Sequence, residues 1–330
     1  MIIALACLLG LQLHQMDMKT AFLNGIIDKL LYIEQPEQFE EYGKPRKDFV
    51  CQLNKALYGL KQAGRLWYLT LHDYLTENGY TRLESEPCVY IRREGDKIII
   101  IAIYVDDINV ASNDEALLKE TKEVLASCFK MSDLGPTHHV LGLHIMRDND
   151  SISLNQARYT NDLLKKCRMI DCHPVSTPLD TSSKLLPLLN DGEIVEKTRY
   201  RRVVGSLLHL VIITRPDIAT AVGMVARHIE RPGKNHWIAV KRILRYLKGT
   251  VSHGLVYTKD DNDKIALDVF CDADWAGDVE KRKSTTGFVA LIANAAIAWK
   301  SVKQECTALS SVEAEYVAAA MAAREVVWLC

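Results

Sequence analysis

Residues 98–112, IIIIAIYVDDINVAS, decide how the chain is read. An apolar run leads into the adjacent carboxylates Asp106 and Asp107, and the chain turns apolar again directly after them. Two short runs rich in Ile and Val on either side of an acidic pair predict a β-hairpin with the pair at its tip. Side-by-side carboxylates where a buried sheet surfaces repel one another, and each is expensive to desolvate without a cation or a donor. A hard divalent cation such as Mg²⁺ takes carboxylate oxygens and relieves both problems. Asp-rich turns are nevertheless ordinary between strands, because Asp hydrogen-bonds its own backbone. The pair therefore needs a third carboxylate, and other signs of nucleotide chemistry, before it means a metal site.

The chain has 330 residues, long enough for two domains or one large core. Its 48% hydrophobic and 25% charged residues are those of an ordinary soluble globular protein. A formal net charge of -1 gives no global sign of a nucleic-acid partner, so any such sign must be local. Nine cysteines are scattered singly, without CxxC or zinc-type spacing, which suits a reducing compartment. The apolar start, MIIALACLLGLQL, lacks a preceding basic residue, and a buried core helix is expected there rather than a secretion signal. No other segment is long enough to span a membrane.

Taken in order, QMDMKTAFLNG (15–25) carries a short strand ending near Asp17, the candidate third carboxylate, and a turn at Asn24-Gly25. LLYIEQPEQF (30–39) reads as a strand closed by Pro36, and a helix with a Gly79 stop follows in LNKALYGLKQAGRLWYLTLHDYLTENGY. Residues 88–112 read as strand, turn at 93–96, strand, acidic turn, strand. DEALLKETKEVLASCF (114–129) is an amphipathic helix with Asp114 and Glu115 in its first turn. Next comes a hairpin over 139–156, turning at 148–151. Strands mixed with hairpins favour α+β with an antiparallel sheet over a doubly wound parallel one. Residues 171–199, with three prolines and many Ser and Thr, read as a long exposed connection, and helices return over 200–248. From Arg227 to Lys248 seven Lys or Arg meet one acid, Glu230, and Lys241, Arg242, Arg245 and Lys248 crowd the last helix. A basic stripe this one-sided suits a phosphate backbone, although a solvated helix face is the plain alternative. From Lys264 a new unit begins, with a strand ending in Asp272 and Asp274, a hairpin, and a long helix whose period is unbroken at Cys330.

QMDMKTAFLNG, LNKALYGLKQAGRLW, IYVDD, YRRVVGSLLHLVIITRPDIATAV, AVKRILRYLKGT, DADWAGD, RKSTTGF and SSVEAEYVA stand in that order along the chain. Together they resemble the Pol polyprotein of copia-type retrotransposons, in which a reverse transcriptase precedes an RNase H domain. The first three are similar to polymerase motifs A, B and C, the next two to connecting helices, and the last three to the first half of RNase H. The resemblance implies an α+β fold: a right-hand polymerase palm with an antiparallel sheet and helices, helical thumb and connection, then an RNase H-like α/β unit. It implies a partial palm over 1–170, the connection 171–199, thumb and connection helices over 200–258, and the RNase H-like unit over 264–330.

The implied activity is RNA-directed DNA polymerisation, with Asp17, Asp106 and Asp107 as the catalytic metal ligands. Two Mg²⁺ ions about 3.5–4 Å apart, with Mn²⁺ as an alternative, stabilise the attacking and leaving oxygens of such a transfer. Phe22 matches the aromatic that stands under the sugar and excludes a 2′-hydroxyl, and Gln62 matches a contact to the incoming nucleotide. Asp272 and Glu315 match the first RNase H carboxylates and their metal ligation, with Asp274 and Glu313 as weaker candidates. Implied partners are an RNA template, a DNA primer, the RNA–DNA hybrid, dNTP, and the rest of the polyprotein, with integrase and protease upstream. No membrane partner is implied. The implied location is cytoplasmic virus-like particles and the nucleus, without secretion.

The chain departs from the family pattern in three ways. Set against the family, the chain is expected to lack the basic fingers region before motif A and, as a C-terminally truncated unit, the later RNase H carboxylates, and Gly64 stands where the family usually has Pro. A catalytically inactive remnant that binds nucleic acid is thus the competing reading. An unrelated Mg²⁺-dependent phosphohydrolase accounts for the acidic turn but for neither the basic helix nor the second acidic unit. Incubated with a labelled RNA–DNA hybrid and Mg²⁺, the purified chain is expected to leave the RNA strand intact, and cleavage abolished by Asp272→Asn would overturn this.

Overall fold

The computed structural model describes residues 1–38, 49–180, 185–188, 194–259, 265–278 and 280–329. The chain divides into two compact units, Leu9–Thr137 and Met1–Leu8 together with the chain from His138 onward. The short opening helix α1 (Ile2–Leu8) thus groups with the second unit, where the Cys7 thiol lies 3.4 Å from the Tyr257 carbonyl.

In the first unit β1 (Gln12–Met18) is followed by a 3₁₀ turn at Ala21–Asn24 and a two-stranded ladder of β2 (Tyr32–Glu34) and β3 (Val50–Gln52). The strand expected over 30–39 is therefore three residues long, and residue 39 lies outside the described residues. Helix α2 (Ala63–Glu77) ends at Asn78, with Gly79 in the left-handed region at φ +82°, as its stop signal implies. Strands β4 (Thr81–Arg82), β5 (Val89–Glu94), β6 (Lys97–Tyr104) and β7 (Asp107–Ser112) precede helix α3 (Glu115–Cys128) and β8 (Met131–Pro136). Asp114 proves to be the cap of α3, accepting the Leu117 N–H at 2.8 Å, and Lys97 beside it holds its carboxyl below the usual range.

The sheet runs β4-β5-β6-β7-β1-β8, with every neighbouring pair antiparallel. Period-2 alternation sends Met16 and Met18 of β1, Ile99 and Ile101 of β6, and Ile108 and Val110 of β7 into one core with Trp67, Leu71 and Leu75 of α2 and Leu117, Leu118 and Leu125 of α3. Both helices thus cover one face of the sheet, and Gln15, Asp17, Asp107 and Asn109 belong to the other. Each fully buried side chain of this core contributes roughly 1.5–3 kcal/mol.

In the second unit β9 (His139–Val140), β10 (Leu143–Arg147) and β11 (Ser151–Asn155) meander and then pair with the distant β12 (Gly254–Thr258). This long-range ladder places the hairpin expected within 1–170 in the second unit, and no local pattern in the sequence announces it. Helix α4 (Ala157–Lys166) has no counterpart in the sequence reading, although Thr160, Leu163 and Leu164 lie at helical spacing and are buried. The two leucines join the core of α5 (Lys197–Ile213), α6 (Ala219–Ala226) and α7 (Lys234–Gly249). Leu179 and Leu185 of the connection pack on that core, so its described part is a strap rather than a free linker.

Arg215, between α5 and α6, is 2% exposed and ties the bundle together. Its guanidinium donates to both carboxylate oxygens of Asp217 at 2.9 and 2.8 Å and to the carbonyl and hydroxyl of Thr250. Burial pushes the Asp217 carboxyl up, but the Arg215 hydrogen bonds and charge outweigh it and hold the group below its usual range. The last elements are β13 (Asp268–Asp274), β14 (Thr285–Ile292), β15 (Ala295–Lys303) and α8 (Ser311–Leu329), a three-stranded antiparallel sheet with α8 packed on β13 and β14.

His228 and His236 stack at 3.8 Å between ring centroids. His236 accepts the Gly233 N–H at Nδ1, so Nε2 carries the proton donated to the Leu186 carbonyl. Burial, the facing His236 and Arg227 lower His228 to about 4, from an ordinary 6.5. The unfolded chain therefore binds the extra proton between those values, and stability is present above pH 6.5 and lost as pH falls toward 4. Urea unfolding across this range is expected to show that loss, and His228→Phe is expected to flatten the slope.

Candidate active site

The hairpin β6–β7 closes through a two-residue turn, Val105–Asp106, flanked by the pair Tyr104 and Asp107. Such turns need a positive φ at the first central residue. Val105 supplies it at φ +59°, a conformation that strains a β-branched residue. Two contacts hold the turn. The buried Trp67 indole donates Nε1–H to the Val105 carbonyl at 2.8 Å, and the Met18 amide donates to the Asp106 carbonyl at 2.9 Å.

Asp17 is the register partner of Asp107 on the neighbouring strand. Directly opposed residues of an antiparallel pair share a face about 4.5–5.5 Å apart at Cβ, and like charges there are unfavourable. The Gln15 side-chain amide relieves one oxygen of Asp107 at 3.0 Å. All three carboxylates are half-buried. Among the described residues no group of three or more His, Cys, Asp and Glu forms a ready-made metal cage. By donor type the three carboxylates suit a hard divalent cation, and β1 and β7 bring Asp17 and Asp107 to one face beside the turn that carries Asp106.

Phe22 lies in the 3₁₀ turn after Thr20, half-buried against the Tyr58 ring at 4.7 Å. Gln62 occupies the N-cap position of α2 without a side-chain capping bond. The two residues meet the same end of α2, because a Cβ on Gly64 would lie 3.9 Å from the Phe22 ring. Gly25 allows this approach. A Cβ there would stand 3.0 Å from the Leu66 Cβ and the Trp67 backbone nitrogen, a tight approach to helix α2 that glycine leaves free.

In the second unit Asp272 is exposed on β13 opposite Gly287, and Glu315 of α8 accepts the Ala273 N–H at 3.3 Å. Glu315 thus reaches the strand between Asp272 and Asp274. Asp274 folds back on its own turn, where a Cβ on Gly277 would fall 1.8 Å from its Oδ2. Glu313 takes a structural position: it accepts the Leu309 N–H at 2.7 Å while the Ser310 hydroxyl accepts the Glu313 N–H at 3.1 Å. That is a capping arrangement at the start of α8.

The basic residues of α7 divide. Lys241 is exposed and Lys248 partly so, whereas Arg242 donates to the Thr177 hydroxyl and pairs with Asp180, and Arg245 donates to the His173 carbonyl at 2.7 Å. Both arginines clasp the strap, through partners 65 and 72 residues away that no local pattern links to them. Sequence reasoning also passed over Gln15, Trp67 and Val105. The indole donor of Trp67, on an apolar helix face and in need of a partner, was the available signal.

Residues 1–181 match the family described as Reverse transcriptase (RNA-dependent DNA polymerase). Over 99% of this chain the sequence is 43% identical to the retrovirus-related Pol polyprotein from transposon TNT 1-94 of Nicotiana tabacum, of which the match covers 25%. The Pol polyprotein from transposon RE2 of Arabidopsis thaliana is 39% identical over 96% of this chain and 21% of its own length. The putative transposon Ty5-1 protein of Saccharomyces cerevisiae is 34% identical over 94% of this chain and 100% of its own. The chain thus spans a quarter or less of the two polyproteins and all of the third relative. Glu313→Ala is expected to lower stability by about 1 kcal/mol in thermal melts, the worth of a cap. The exposed Glu315→Ala is expected to stay within about 0.5 kcal/mol.

Proposed function

The chain belongs to the reverse transcriptase (RNA-dependent DNA polymerase) family and is similar to part of copia-type Pol polyproteins, and on that premise we propose that Leu9–Thr137 is a polymerase palm that extends a DNA primer on an RNA template. The observation that carries the reading is the register of β1 on β7, with Asp17 opposite Asp107 at the mouth of the Val105–Asp106 turn. Asp17, Asp106 and Asp107 are the residues that would hold the divalent metal. Two Mg²⁺ ions, or Mn²⁺ in their place, would stabilise the attacking and leaving oxygens of the in-line displacement.

The chain's own residues do the rest. Gln15 orients the Asp107 carboxylate through its amide. Phe22, braced by Tyr58, presents an apolar ring on which a deoxyribose rests and a 2′-hydroxyl would clash. Gln62 offers an uncommitted side-chain amide at the start of α2 to the incoming dNTP. Lys241 and Lys248 engage phosphates of the primer–template, and Arg242 and Arg245 add charge from behind while holding the strap. Such binding is independent of sequence and weakens with salt. Residues 264–330 are an RNase H-like unit in this reading, with Asp272 and Glu315 as its metal carboxylates. Integrase and protease are the polyprotein partners. Among the described residues no helix is long and apolar enough to cross a membrane, and virus-like particles and the nucleus are the places proposed for the reaction.

Primer extension on poly(rA)/oligo(dT) with Mg²⁺ is the test. Incorporation is expected, and Asp106→Asn is expected to reduce it by about 10²-fold or more, since that carboxylate would hold the metal that stabilises charge developing in the transition state. Hybrid binding with no incorporation by either protein would instead make the chain a nucleic-acid-binding remnant.

A further inference from the structure

We propose that Trp67 is a positioning residue of the acidic turn, keeping Val105 in its left-handed conformation so that the Asp106 carbonyl stays bonded to the Met18 amide, next in the chain to Asp17. The inference rests on the polymerase reading of the site.

The turn Val105–Asp106 is strained and poorly covered. Val105 is 42% exposed and Tyr104 59% exposed, so side-chain packing contributes little to holding φ at +59°. What restrains the backbone is a pair of hydrogen bonds to its two carbonyls, one from the Met18 amide and one from the Trp67 indole. The Met18 bond belongs to the sheet and follows from the register of β1. The indole bond comes from a different element, helix α2.

Trp67 itself is rigidly placed. It is 2% exposed and its ring meets Phe129 edge-on at 5.3 Å. A donor fixed by burial and ring packing can hold a carbonyl in an unfavourable conformation, whereas a mobile one would follow the turn as it relaxed. The same helix begins at Gln62 and meets Phe22 at Gly64. A shift of α2 at its nucleotide end would therefore be felt at the turn through the indole.

The proposal separates from a merely structural role by rescue. Trp67→Phe keeps the ring in the core and removes only the donor. Val105→Gly removes the strain that the donor opposes, because glycine adopts positive φ without steric penalty. In ¹⁵N-methionine-labelled protein, amide exchange at Met18, whose N–H is bonded to the Asp106 carbonyl, reports the turn without any need for activity. Trp67→Phe is expected to speed that exchange at least tenfold while Met16, within the same strand, changes less than threefold. Val105→Gly in the Trp67→Phe background is expected to restore protection. In primer extension, Trp67→Phe is expected to lower kcat at least tenfold with KM for dNTP changed less than threefold, and the double variant is expected to recover most of kcat.

Unchanged Met18 exchange in Trp67→Phe would overturn the proposal, as would uniform deprotection of β1 that Val105→Gly leaves uncorrected. Trp67→Leu, if folded, must reproduce the Trp67→Phe pattern. If the wild-type chain shows no incorporation, the polymerase reading fails by that result alone, while the exchange data still decide whether the indole holds the turn.

Discussion

The register of β1 between β7 and β8 is the constraint on which the first unit depends. Strand side chains alternate with a period of two, so a slip of one residue would turn Met16 and Met18 out of the helix-covered core and Asp17 into it. The apolar face and the acidic face are consequently one specification. Burial of Met16, Met18, Ile108 and Val110 sets the register, and the register sets Asp17 against Asp107. The repulsion between those carboxylates is far smaller than the burial that imposes it. A polar site can therefore be held in an unfavourable arrangement until a cation or substrate relieves it.

The second unit rests on a different kind of interaction. Its helical core is apolar, but the turn between α5 and α6 carries a buried guanidinium whose donors are taken by Asp217 and Thr250. A buried ion pair adds little net stability over an apolar replacement, yet breaking one partner costs about 3–5 kcal/mol. Its role is to join the start of α6 to the end of α7 in one arrangement. The arginines of α7 act likewise on the strap, which explains why a helix that reads as a phosphate-binding stripe spends part of its charge within the chain.

Much of the architecture was legible in the residues. The apolar run at 98–103, the period of α2 and α3, and the glycine and aspartate caps are local signals, and local signals survive in a sequence read alone. Family motifs carried the identity of Asp17, Asp106, Asp107, Asp272 and Glu315 as candidates, because the order of several segments is itself information. Where reading stopped short, the cause was distance along the chain. β12 pairs with β11 across about a hundred residues, α4 is short and sits between a hairpin and a proline-rich strap, and the weaker candidate Glu313 makes capping bonds with Leu309 and Ser310 that no motif announces.

The sequence by itself determined which residues are acidic, apolar or basic and at what period they recur, and that was enough for the α+β class and the family. Only the tertiary structure decided which carboxylates face one another, that Val105 is held in a strained turn by an indole from another element, and that Arg242 and Arg245 clasp the strap. The reason is physical. Periodicity states which face of an element is buried, but pairing partners are chosen by the whole core at once, and hydrogen bonds such as Trp67 to Val105 exist only after that choice has been made.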